Sequence, residues 1–219
     1  MRRVKCRGVF VLLAALLLSQ PMLLAGDKGT PPPAREATSY PAVDVHDKEG
    51  VAVAADPLDT REKESFFQVD YLKAGYLPVR LIVTNNSADP VKLDEVRVYF
   101  LTANGDRVRA ADTDDVERSI RDVKDPGRQM EKPFPLKGMG KPKDKDPKVE
   151  SDFKVADFAT LTVAPHSTQS GYLFFNVSGL QDELVGAKLL VRGIETQDGT
   201  PLFYFEAPFD KYLAAKKKP

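Results

Sequence analysis

The chain has 219 residues, with 32 basic and 32 acidic side chains, two histidines and one cysteine. One cysteine excludes an internal disulfide and a multi-thiolate metal site, and the charge balance argues against a nucleic-acid partner, whose phosphates require a basic face. Residues 2–7 carry Arg2, Arg3, Lys5 and Arg7 without an acid; 9–18 hold no polar side chain; Ser19, Gln20 and Pro21 interrupt, and 22–25 resume the apolar run. A basic start, a short apolar core and a small residue before polar chain predict a secretory signal over 1–25, cleaved after Ala25. The run falls short of the roughly 20 apolar residues of a spanning helix. Its alternative is an uncleaved membrane anchor, and Leu23 departs from the small residue usual there.

Cleavage removes Cys6 and four basic charges, leaving 28 basic and 32 acidic residues, a net charge of about −4. Cys6 precedes the apolar run, so it cannot be the lipid-bearing cysteine of a lipoprotein. The expected location is the periplasm of a bacterium, or outside the cell. Residues 26–49, with Pro31, Pro32 and Pro33 among small and charged residues, read as a Pro-rich linker.

From Gly50 to about residue 210 the apolar period is two. Val79, Leu81 and Val83 alternate with Arg80, Ile82 and Thr84; Val96, Val98 and Phe100 with Arg97, Tyr99 and Leu101. Ala159, Leu161 and Val163 form a third run, Leu173, Phe175 and Val177 a fourth, Leu190, Arg192 and Ile194 a fifth, and Phe203 with Phe205 a sixth. Such short runs, rich in β-branched and aromatic residues, are strands. Asn85-Asn86-Ser87-Ala88-Asp89-Pro90 and Asp198-Gly199 are expected to be hairpin turns. The result is a mainly β fold, an antiparallel sandwich of seven to nine strands. Val116, Ile120 and Val123 predict one short helix over 114–123, with Asp114 and Glu117 spaced as a capping box.

Residues 124–152 contain five prolines and seven lysines and no strand pattern, which predicts a flexible inserted loop. Its apolar island, Phe134, Leu136 and Met139, supplies the candidate contacts to a ligand or partner. Residues 211–219 read as a basic tail ending in Lys216, Lys217 and Lys218, with at most a weak attraction to an anionic membrane.

Pro78-Val79-Arg80-Leu81-Ile82-Val83-Thr84-Asn85-Asn86-Ser87 resembles the extended strand and Asn-x-Ser turn of immunoglobulin-like modules in uncharacterised secreted bacterial proteins. Val163-Ala164-Pro165-His166, followed by Gly171-Tyr172-Leu173-Phe174-Phe175-Asn176-Val177, is similar to their late hairpin, with His166 at the glycine position. The resemblance covers about a quarter of the chain and implies an immunoglobulin-like sandwich. It carries over no site residue.

The chemistry-bearing residues form no catalytic constellation. His46 ends the linker and His166 sits in a turn, neither on the rigid scaffold that a triad requires, and no G-x-S-x-G elbow occurs. Asp112, Asp114 and Asp115 lack the glycine and distal glutamate of a calcium loop, and acids belong at a helix start. Gly138-Met139-Gly140-Lys141 lacks the rest of a phosphate loop. No cofactor motif is present. Aromatic pairs at Phe66-Phe67, Tyr99-Phe100, Phe174-Phe175 and Phe203-Tyr204 put apolar groups on both strand faces, which predicts core on one side and a covering element on the other: the helix, the long loop or a partner.

The sequence therefore predicts a non-enzymatic module working through contacts with another envelope protein or an extracellular component. Its alternatives are a ligand-binding protein with 124–152 as a lid over an aromatic face, and a hydrolase using carboxylates alone.

Overall fold

The computed structural model describes residues 29–124, 145–158 and 160–217. Phe134, Leu136, Met139 and the signal segment lie outside the described residues. In chain order the elements are β1 (Val43–His46), β2 (Val51–Pro57), β3 (Tyr76–Asn85), β4 (Val91–Lys92), β5 (Arg97–Leu101), β6 (Arg107–Arg109), α1 (Thr113–Lys124), α2 (Pro147–Ala156), β7 (Thr162–Val163), β8 (Ser167–Asn176), β9 (Lys188–Arg192), β10 (Glu195–Thr196), β11 (Phe205–Pro208) and α3 (Phe209–Lys216). The eleven strands form three antiparallel sheets, ordered β1-β2-β3-β8, β10-β4-β7 and β11-β9-β5-β6.

All ten residues of β3 are buried. Its alternation explains how. Leu77, Val79, Leu81 and Val83 face a core shared with Phe100 of β5, Leu189 and Val191 of β9, and Phe205 of β11. The two four-stranded sheets thus close on one another. Tyr76 on the opposite face joins Tyr172 and Phe174 of β8 in a second core, covered by Val116 and Ile120 of α1, Val149 of α2, and Phe66, Phe67 and Tyr71 of the 58–75 segment. Ile82, farther along that face, packs with Ala37, Tyr40, Ala52 and Ala54. The first sheet is covered on both sides, as apolar groups on both faces of its strands require.

Arg80 is the cation inside this arrangement. It stands opposite Tyr172 across the β3–β8 ladder, with its Nε donating to Ser170 Oγ at 3.1 Å and its guanidinium 5.3 Å from the Tyr172 ring centre. That combination of hydrogen bond and ring face compensates its lost hydration.

Several elements differ from the sequence reading. The turn at 85–90 is not a hairpin: β3 pairs with β2 and β8, while β4 crosses to pair with β7 and β10. Asn85 closes the turn by donating Nδ2 to the carbonyls of Asp89 and Val163. The Asp198-Gly199 turn does fold back, with Thr196 N donating to Thr200 O and Glu195 bridged to Pro201. The 26–49 segment is not linker throughout, because Ala37 and Ala42 are fully buried and β1 pairs with β2 over four residues.

The 124–152 segment is not loop throughout either. Helix α1 reaches Lys124, and α2 begins at Pro147 with Asp146 as its N-cap accepting from Lys148 N. The cap of α1 is Asp112, whose carboxylate accepts from Asp115 N, in place of the Asp114 box. Val116 and Ile120 are buried as expected, whereas Val123 is exposed. The 211–219 tail is helical to Lys216: Tyr212 donates its hydroxyl to Asp59 at 2.6 Å, and Lys216 pairs with the same carboxylate at 2.8 Å. Strand β7 is only two residues long and leaves Leu161 exposed, and Phe203 precedes β11.

A candidate partner-binding face

The inner face of the β11-β9-β5-β6 sheet is core, and its register fixes what the outer face presents. Arg97 stands opposite Arg192, Tyr99 opposite Leu190, and Leu101 opposite Lys188. On the other side of β5, Arg109 lies across from Tyr99 and Arg107 across from Leu101. Five cations therefore share one sheet face. Lys188 is answered by Glu206 at 2.7 Å, and Arg107 lies over the Tyr99 ring at 6.0 Å. The side chains of Arg97, Arg109 and Arg192 make no hydrogen bond or ion pair among the described residues.

Charge on β6 has an ordinary explanation, since charged side chains on an edge strand discourage edge-to-edge association. Arg97 and Arg192 sit on interior strands, where that reason does not apply. Like charges directly opposite in a ladder destabilise it. The pair is a local cost without a compensating hydrogen bond or ion pair among the described residues.

Beside this pair the 201–204 segment rises to form a shallow groove of about 640 Å³, floored by Arg97, Tyr99 and Arg192 and walled by Phe203 and Tyr204. Phe203 is 66% exposed and Tyr204 41%, with ring centres 4.3 Å apart at an interplanar angle of 32°. Glu95 and Glu195 complete the rim. Gly193 makes the geometry possible: its φ is 80°, and a Cβ there would overlap the Glu95 carbonyl oxygen. Beyond Leu202 a second groove is lined by Glu49, Asp89 and Asp198.

The residues singled out from the sequence lie elsewhere. His46 is on β1, stacked on Phe205 at 3.9 Å with Asp44 at 3.7 Å. His166 is exposed in a turn at φ 52°, the left-handed region that glycine occupies more readily. Asp112 caps α1 and Asp115 pairs with Arg118. No group of three metal-ligating side chains converges among the described residues.

Two carboxylates are sealed in the second layer. Asp152 accepts from the Gln68 and Val69 amides at 3.0 Å and from the Tyr71 hydroxyl at 3.1 Å. Burial pushes its carboxyl above the usual range, and those three donors pull it back. Glu64 accepts from Arg61 at 3.1 Å through Oε1, while its Oε2 is buried with no hydrogen-bond partner among the described residues. Burial pushes this carboxyl up to about 7, with the Arg61 hydrogen bond opposing and Asp70 adding to the rise.

The arginine pair was present in the sequence as the polar half of two alternating runs. The missing signal was adjacency: nothing local says that β5 and β9 are neighbours. No helix among the described residues is long and apolar enough to cross a membrane. No protein family, curated protein or solved structure matches the chain.

Proposed function

We propose that the chain is an exported, immunoglobulin-like β-sandwich module that acts by contact, docking another envelope protein or an extracellular component onto the outer face of its second sheet. The observation that carries this reading is the Arg97–Arg192 pair, on interior strands, without a hydrogen bond or ion pair among the described residues, and bordered by the exposed Phe203 and Tyr204. Arginine and aromatic side chains dominate the energetic centres of interfaces. The groove is open and shallow, which suits a large partner better than an enclosed small molecule. The leader of residues 1–25 supports export, and the mature chain is expected to start at Gly26. Two antiparallel four-stranded sheets over one core support the immunoglobulin-like assignment.

The test places a photo-crosslinking amino acid at Phe203, or at the exposed Val185 as a control, in cells that export the chain. The expected result is an adduct from position 203 that disappears when Arg97→Gln and Arg192→Gln are combined, with none from position 185. Equal adducts at both positions, or an adduct indifferent to the arginines, would overturn the reading.

A further inference from the structure

The contact reading leaves the chemistry of the partner open, and the groove narrows it. We infer that the face binds an acidic polysaccharide, a glycan carrying uronic-acid carboxylates, with one carboxylate held between Arg97 and Arg192 and a sugar ring lying against Phe203 and Tyr204. The inference rests on that face being the contact surface.

Three features argue for it together. The guanidinium is a planar fork that matches a carboxylate with two parallel hydrogen bonds. Two such forks from directly opposed residues bring enough donors to hold one carboxylate and reach its neighbours. Phe203 and Tyr204 meanwhile line one side of this open groove with their rings exposed to solvent. Exposed rings of this kind offer flat apolar faces, which fit the C–H face of a sugar.

The acids on the rim separate this class from other anions. Glu95 and Glu195 share the groove with the arginines. The side chains of an acidic peptide and the groups of a phosphate polymer offer these acids only further negative charge. Carboxylates accept hydrogen bonds from hydroxyl groups, however, and a glycan has hydroxyls beside each of its charges. A glycan with one carboxylate per sugar meets both arginines and both acids favourably.

The test measures binding of the full exported chain to polygalacturonate, alginate and hyaluronate, with dextran as a neutral glycan and poly-glutamate as an acidic peptide. Retention by at least one uronate polymer is expected, weakening as salt rises from 0.05 to 0.5 M. Arg97→Gln with Arg192→Gln, and separately Phe203→Ala, should each weaken that binding by about tenfold or more, with melting temperatures no lower than the parent's. Arg97→Lys keeps the charge and loses the fork, so it should fall between parent and double variant. Arg118→Gln, on α1, should bind as the parent does.

Failure to bind any of the three uronates overturns the inference, and survival of the Phe203 adduct in the same protein shows that the contact reading stands without it. Equal, arginine-dependent binding of poly-glutamate overturns it in favour of an acidic protein segment. Dextran binding that ignores the arginines overturns the role given to the carboxylate.

Discussion

Tyr71 donates its hydroxyl to Asp152 at 3.1 Å across 81 residues of chain, and both side chains are fully buried or nearly so. The same carboxylate takes the Gln68 and Val69 amides, so one side chain of α2 fastens the 66–71 segment over the second core. Asp152→Asn would turn an amide NH₂ toward donors. It is expected to lower stability by about 2–4 kcal/mol, and Tyr71→Phe by about 1–2 kcal/mol. Because the two share one interaction, the double variant should lose less than the sum in urea unfolding. Strict additivity would show that the contact carries no coupling.

Glu64 gives the fold a pH dependence of definite sign. Its folded value is raised to about 7 from an ordinary 4.5, so between these values the folded chain holds a proton that the unfolded chain has released. Stability from this group is full below pH 4.5, declines as pH rises through that window, and is lost above about 7. The whole effect is at most about 3 kcal/mol. Glu64→Gln removes the titration while keeping the hydrogen bond to Arg61. Relative to the parent, the variant should gain stability from pH 5 to about pH 7 and level off above it, by about 4–10 °C in melting temperature. Parallel curves for the two proteins would refute the assignment.

Gly193 is expected to tolerate no side chain. Its φ of 80° already disfavours an L-residue by about 1–2 kcal/mol. The atom that a Cβ would meet is backbone, the Glu95 carbonyl oxygen, which cannot swing aside. Gly193→Ala should therefore cost about 2–4 kcal/mol and displace the Arg192 end of β9 from Arg97. Denaturant titration checks the first effect and partner crosslinking the second. Stability within about 0.5 kcal/mol of the parent would show that the turn relaxes freely.

Asp59 holds the C-terminal helix, through Tyr212 and Lys216. Asp59→Ala is expected to release α3, seen as faster protease cutting at Lys211 and Lys216. The loss should be about 1–2 kcal/mol, because Phe209 remains anchored in the main core. Unchanged cutting would mean that Phe209 alone secures the helix.

What the sequence disclosed was local. The alternation of Leu81 and Val83 with Ile82 and Thr84 identified β3, and the spacing of Val116 and Ile120 identified α1. Apolar groups on both faces of the Phe174-Phe175 strand already required a second layer. Strand partners were not legible, because the 85–90 turn reads like a hairpin whether the chain folds back or crosses to another sheet. Burial of both faces of β3 decided between them, and that is a property of distant residues.

Helix α2 was hidden for a different reason. Pro147 looks like a breaker, yet a proline in the first turn behind an N-cap such as Asp146 costs no hydrogen bond and starts a helix. The candidate face was invisible because Arg97 and Arg192 become a pair only through the β5–β9 register. Each alone is an ordinary exposed cation.

The longest ladder also sets a timetable for synthesis. Tyr76 is paired with Asn176 and Asn85 with Ser167, so β3 must wait for most of the chain before its second neighbour exists. At about 5–20 residues per second, a ribosome needs several seconds to supply it. During that interval a ten-residue strand with two apolar faces has only β2 beside it. Chains halted before Ser167 are left with an unfinished edge that can recruit another copy, so premature termination in this gene should yield aggregates rather than a smaller folded protein.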